Sequence, residues 1–243
     1  NGLHGGFSTM GVLVGQNLER VGLLVGALAD GTHGRTSDHL KEFKQREGWI
    51  GERLFGGGGL IPLRRPYDRL AVRGAALVGD AACMVFSAHG SGIAAGMTAG
   101  RMLAEAASAG GDPGAIRNLW KYQSHFHRTL GPALSSYDHV RRLVQSIDGG
   151  DIDGLISSGM LRSGALRAAL LQEMYKPGPG DVPGTVRLGL HAPNLLRKAA
   201  AYGGLIGATL ALYPLYPTKP DDAGLRRWSH AIAALYGDPP DIA

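Results

Sequence analysis

Leu77–Gly100 reads LVGDAACMVFSAHGSGIAAGMTAG, and this stretch decides the fold. An apolar run, RGAALVG from Arg73 to Gly79, is predicted as a short buried strand, and it ends on the acid Asp80. In open α/β sheets the carboxyl edge of the strands is where ligands bind, and a carboxylate there accepts hydrogen bonds from sugar or ribityl hydroxyls. Gly79 has no side chain to hold a ligand or a second backbone away. Ten residues beyond Asp80, Gly90-Ser91-Gly92 opens a helix predicted to reach about Ala109, where Gly110-Gly111 ends it. The first-turn N–H groups of a helix lack internal partners and carry about half a positive charge, so this helix start can stabilise negative charge.

Gly92, Gly96, Gly100 and Ala104 recur every four residues and form a stripe without bulky side chains on one helix face. An interior glycine costs roughly 0.8–1 kcal/mol against alanine. Close approach to a sheet or a flat ligand accounts for that cost. A Gly-Asp turn or a small-residue stripe, taken alone, is commonly structural; the two at this spacing favour a ligand site.

Upstream, MGVLVG and VGLLVGAL flank QNLER as a β-hairpin does. Thr36-Ser37-Asp38 offers a cap to a short helix that stops at Gly48, and a strand is expected from Arg53 to Leu63 around the glycines 56–59. Downstream the spacing becomes helical. Asp112-Pro113 serves as an N-cap pair, Gly131-Pro132 breaks the first long helix, and Asp151 and Ser163 are expected caps. KPGPGDVPG (176–184) is a loop, Pro193 starts another helix, and Asp221 or Asp222 caps the last, which ends at Gly237. The fold class is therefore α/β (α+β): a partial Rossmann-like domain, substrate-domain strands and a helical C-terminal region. The expected divisions are 1–72 (substrate sheet), 73–111 (second half of a cofactor domain) and 112–243 (helical).

Composition bounds the function. With 44% hydrophobic and 19% charged residues, the 243-residue chain is globular rather than disordered. Its 39 glycines, about twice the ~7% average, fall in short clusters without a repeat, which excludes collagen. The net charge of +5 is spread over Arg64-Arg65, Arg141-Arg142, Arg197-Lys198 and Arg226-Arg227. These pairs read as solvated helix faces and not as a nucleic-acid patch, while attraction to an anionic membrane or a phosphorylated substrate stays open. A lone cysteine, Cys83, cannot form an intrachain disulfide. No signal peptide is visible, and the longest apolar run, GGLIGATLALYPLY (203–216), falls short of the roughly 20 residues of a membrane span. The expected setting is cytoplasmic, with peripheral membrane contact left open and an amphipathic core helix slightly preferred for 203–216.

Other chemistry is weaker. His125 and His127 point to different sides of a helix and make a poor metal pair. Ser8, Ser87 and Ser91 lack a G-x-S-x-G setting. Cys83 is more commonly a small buried thiol than a reactive one. His89 either shuttles a proton or shapes the loop.

LVGDAACMVFSAHGSGIAAGMTAGRMLAE resembles the second flavin-contacting motif of the FAD-dependent oxidoreductases with the p-hydroxybenzoate hydroxylase type of fold, most closely the geranylgeranyl reductase group. GGLIPLRRPYDRL is similar to the strand before that motif, and the resemblance is specific over about Leu60–Ala107. It implies FAD as cofactor, with Asp80 on the ribityl chain and Gly90, Ser91, Gly92 and Ile93 beside the pyrimidine end of the flavin. Gly79 belongs to the same site. It further implies NAD(P)H or another reductant as electron donor and reduction of carbon–carbon double bonds in an isoprenoid or lipid substrate.

The family usually has Gly where Cys83 stands, Pro where Ser87 stands, and a small or hydroxyl residue at His89. Its N-terminal Gly-x-Gly-x-x-Gly unit is not found here. Gly90-x-Gly92-x-x-x-Gly96 has one residue too many and does not directly follow a strand. The chain is therefore expected to be the C-terminal portion of a longer flavoprotein. A flavin monooxygenase or halogenase on the same fold, and a non-catalytic piece serving association, are the alternatives. The catalytic acid and the oligomeric state are not legible.

Overall fold

A computed structural model describes residues 9–15, 19–29, 34–87, 90–159, 164, 167, 168, 171, 173, 174 and 178–242. It is a mixed α/β structure, mostly helical with small antiparallel sheets and a helical C-terminal region. The chain divides into two compact units, residues 1–60 with 144–154 and residues 61–143 with 155–243.

In the first unit, β1 (Thr9–Val14) pairs antiparallel with β2 (Val21–Gly26) in the register Thr9↔Gly26 to Val14↔Val21, as the flanking apolar runs predict. Helix α1 (Thr36–Arg46) follows, but Thr36 lies inside it and Arg35 is the N-cap, with no side-chain cap. The helix ends at Arg46, two residues before Gly48. The strand expected from Arg53 to Leu63 is absent; this segment is irregular. Four successive glycines carry the largest backbone entropy cost of ordering. Leu54, Phe55 and Leu60 are exposed, so no apolar burial offsets that cost.

In the second unit the predicted strand 73–79 is instead the second arm of a tight hairpin. Strand β3 (Ala71–Val72) pairs with β4 (Ala75–Ala76) across Arg73-Gly74, with Gly74 at φ +80° as such a turn requires. Leu77 N–H donates to Leu70 C=O at 2.8 Å and extends the ladder. Leu77 is 41% exposed, so the segment is not a buried strand. A 3₁₀ turn, Gly79–Ala82, comes next.

Helix α2 (Ile93–Ala107) buries Ala95, Ala99, Met102 and Ala106 along one face. They join Met84, Phe86, Tyr122, Phe126, Leu134 and Tyr137 in the first core. Helix α3 (Ile116–Thr129) closes on the hairpin: Gln123 Oε1 accepts from Leu70 and Ala71 N–H, and Tyr122 O–H donates to Leu77 C=O at 2.7 Å. Asp112-Pro113 forms a turn ahead of α3 and is not its cap: Asp112 Oδ1 accepts from Gly114 N–H and the N-cap is Ala115.

Helix α4 (Gly131–Gln145) begins where Gly131-Pro132 predicts a break. Helix α5 (Gly149–Ser158) is capped one turn earlier than expected, by Asp148, which accepts from Asp151 N–H at 2.9 Å. Ser163 lies outside the described residues. A 3₁₀ turn at Pro179–Asp181 leads to α6 (Val182–His191). Helix α7 (Pro193–Leu212) starts, and α8 (Asp222–Tyr236) starts and stops, as read: Pro193 is the first residue of α7, Asp221 accepts from Gly224 N–H, and Gly237 ends α8 at φ +64°.

A second core gathers Trp120, Tyr213, Tyr216, Leu225, Trp228, Ile232 and Tyr236. The run 203–216 thus ends on two buried tyrosines, and among the described residues no helix is long and apolar enough to cross a membrane. Gly131 is fitted to this core. A Cβ there would sit 2.5 and 2.8 Å from ring carbons of Tyr213, whose hydroxyl bonds Ser135 and whose ring meets Trp228 edge-on at 5.1 Å. The ring has no room to yield, so Gly131→Ala is expected to cost about 2–3 kcal/mol by overpacking, read as a lowered denaturant midpoint at unchanged slope.

Two of the paired basics are not solvated. Arg65 and Arg141 are 1% and 9% exposed. Arg65 pairs with buried Asp68 and donates its backbone N–H to buried Asp138 at 3.1 Å, while Arg141 Nε binds Asp138 at 2.8 Å. Arg64 forks onto Asp241 at 2.7 and 2.9 Å, and Arg142 reaches Asp238. Charges from opposite ends of this unit therefore clamp the segment RRPYD (64–68), immediately upstream of the hairpin, against the helical region.

Candidate functional site

The backbone turns sharply through the site. Gly79 takes φ +66°, a conformation that costs a side-chain-bearing residue roughly 1–2 kcal/mol. It places Asp80 in the 3₁₀ turn with its side chain exposed. Met84 N–H returns to Gly79 C=O and Cys83 N–H to Asp80 C=O, both at 3.0 Å. Cys83 closes the turn at φ +56°, the left-handed region that glycine occupies freely. Its side chain is buried, and burial pushes the thiol pKa up against the pull of Arg64. Burial thus disfavours the thiolate that a nucleophile needs.

The loop into α2 is stapled by Phe86 N–H to Ser91 C=O and Gly90 N–H to Phe86 C=O, each 2.8 Å. Gly92 is the N-cap of α2, and Gly96 N–H makes the first helical bond back to it. A Cβ on Gly92 would lie 3.2 Å from Asp80 Oδ1, 3.2 Å from Met84 O and 3.1 Å from Val85 Cγ2. One on Gly96 would lie 3.4 Å from Gly79 Cα. The first two members of the small-residue stripe therefore seat the 3₁₀ turn directly on α2. Gly100 does not share this duty, because a Cβ there would meet open space.

The result is a cleft of ≈ 370 Å³ lined by Ile61, Gly79, Asp80, Gly90, Gly92, Ile93, Gly96 and Met97. Five of the six predicted site residues line it; Ser91 does not, its carbonyl being held by Phe86. Ile61, Met97 and Ile93 form an apolar rim, 52%, 73% and 81% exposed. Ile61 and Met97 escape a reading of the sequence as site residues, because only the tertiary fold sets them beside Asp80. The one signal available was that Met97 sits one turn beyond Ile93 on the same helix face. His89 and Ala88 lie outside the described residues.

Chemically the cleft offers one exposed carboxylate that accepts hydroxyl hydrogen bonds, the amide-rich start of a 15-residue helix, and an apolar rim. Elsewhere the histidines divide as their spacing predicts: His125 is exposed and His127 fully buried. Among the described residues no group of three or more His, Cys, Asp or Glu is placed to hold a metal.

No family model matches the chain. It is 28% identical over 174 residues to the digeranylgeranylglycerophospholipid reductase of Sulfolobus acidocaldarius, a match covering 70% of this chain and 38% of that protein. It is 30% identical over 150 residues to the digeranylgeranylglycerophospholipid reductase of Methanothrix thermoacetophila, covering 58% of this chain and 37% of that protein. The chain thus spans less than two-fifths of the length of either relative. Over the residues that match, the chain is geranylgeranyl reductase-like.

Proposed function

We propose that the chain forms part of an FAD-dependent reductase acting on carbon–carbon double bonds of an isoprenoid lipid, and that the glycine-lined cleft beside Asp80 holds the flavin side of that enzyme. The observation that carries this reading is the convergence of Asp80 with the start of α2 at residues without side chains: Gly92 could not take even a Cβ without pressing on Asp80 Oδ1 at 3.2 Å. A polyhydroxy chain ending in a flat ring suits such a surface, and the residues present fit FAD in three respects. Asp80 would accept from ribityl hydroxyls. Gly79, Gly90 and Gly92 would let the ring system approach the backbone. The first-turn amides of α2, around Ile93, would face the end of the ring where charge accumulates on reduction.

FAD, when bound, supplies hydride transfer. The protein's part is to bind the ribityl chain through Asp80, to favour the anionic form through the helix start, and to present an apolar rim, Ile61, Ile93 and Met97, on which a hydrocarbon substrate is desolvated. The names of the two similar reductases support a lipid substrate carrying geranylgeranyl groups. NAD(P)H or a reduced electron carrier is the expected donor.

The test is mass spectrometry of a geranylgeranylated lipid incubated with the full-length protein, FAD and reductant. A gain of two hydrogens per double bond is expected. Oxygen consumption with an oxygenated product, or no product at all, would overturn the reading.

A further inference from the structure

Helix α6 buries Leu188 and turns through buried Ala192 into α7, which buries Leu195. The two helices cross closely, for a Cβ on Gly189 would sit 3.1 Å from Leu196 Cδ2. The two helices therefore pack against one another, and the outer face of α6 is apolar. Val182, Val186 and Leu190, spaced four apart on one stripe of α6, are 58%, 57% and 76% exposed. Arg187 and His191 flank that stripe, and Arg197 is exposed on the first turns of α7. From residue 182 to residue 220 the chain contains no Asp or Glu while carrying Arg187, Arg197, Lys198 and Lys219.

An aliphatic stripe bordered by Arg187, with Arg197 exposed on the next helix and no acid from residue 182 to residue 220, matches the side chains with which interfacial helices dock on anionic bilayers. Three aliphatic side chains fall well short of the ~800 Å² per partner of a stable protein interface, so a second copy of the chain is a poorer occupant. We propose that the α6–α7 corner docks on an anionic lipid surface, with Val182, Val186 and Leu190 in the acyl–headgroup boundary and Arg187 and Arg197 among the phosphates. This goes beyond the reductase reading and stands without it, since its readout involves neither flavin nor turnover.

The test is co-sedimentation of the full-length protein with phosphatidylcholine vesicles, with and without phosphatidylglycerol, at low and high salt. Binding at least about tenfold stronger to the anionic vesicles, and weakened by salt, is expected. Val186→Glu/Leu190→Glu should reduce it to the neutral-vesicle level, and Arg187→Glu/Arg197→Glu should lower it about tenfold or more. All four positions are exposed, so unchanged melting temperatures are expected and are measured alongside. Equal sedimentation with both vesicle types, or binding indifferent to both double variants, would overturn the proposal. A dimer that Val186→Glu/Leu190→Glu converts to monomer without vesicles would also overturn it, by assigning the face to a second copy.

Discussion

Asp80→Ala in the full-length protein is expected to weaken FAD binding about 10–100-fold, which is the effect of losing one hydrogen bond to a charged acceptor at roughly 1.5–3 kcal/mol. The side chain is exposed at a turn held by backbone bonds, Met84 N–H to Gly79 C=O and Cys83 N–H to Asp80 C=O. The apoprotein should therefore melt at the wild-type temperature. Asp80→Asn retains an acceptor oxygen without the charge and should fall between. Titrating apoprotein with FAD and following flavin fluorescence measures all three proteins. Equal affinities would remove Asp80 from the site.

A second large effect concerns pH and lies in the helical region. His127 is fully buried, and among the described residues neither ring nitrogen has a well-formed hydrogen bond. It is stacked on Tyr216 at 4.3 Å and flanked by Phe126, Tyr213 and Trp228. Burial, reinforced by the Arg65 charge and opposed only by the Tyr67 backbone, brings its pKa down to about 3.

In the unfolded chain the same group titrates near 6.5. Between these values the unfolded state binds a proton that the folded state refuses, so stability is complete above about pH 6.5 and is lost as pH falls toward 3. By pH 5 the loss from His127 alone is about 2 kcal/mol. His139, stacked on Tyr236 at 4.0 Å and brought down to about 4 chiefly by burial, adds in the same sense. Asp68, whose carboxyl burial raises against the pull of Arg65, acts in the opposite sense. Between pH 6.5 and 5 the His127→Phe variant therefore isolates the share of that histidine. Urea midpoints across that window should fall steadily for the wild type, and His127→Phe should flatten most of the slope. A slope identical in the variant would contradict the burial of a neutral His127.

Much of the helical region is legible because its signals are local. Asp221 and Gly237 bracket α8, Pro193 opens α7, and Gly131-Pro132 divides α3 from α4; each acts through one residue's φ or one side-chain bond. The close packing that lines the candidate cleft is legible for the related reason that glycine at fixed spacing records where atoms must approach, as Gly92 and Gly96 do against Asp80 and Gly79.

What escapes the sequence depends on partners far along the chain. The residues 53–63 have the apolar content of a strand, but strand formation needs a neighbour to pair with, and that segment is irregular. Arg65 and Arg141 look like surface cations until the fold sets Asp68 and Asp138 against them. Ile61 and Met97 join the cleft only because the chain returns there. Cys83 reads as a small buried thiol from the sequence, but its left-handed backbone, a glycine-like position, appears only in the fold.

The account rests on flavin binding, and the most direct test is the visible absorption spectrum of the full-length protein after incubation with FAD and gel filtration. The account predicts that flavin absorption bands co-elute with the protein and are lost or greatly diminished in Asp80→Ala. A colourless protein after the same treatment would contradict it.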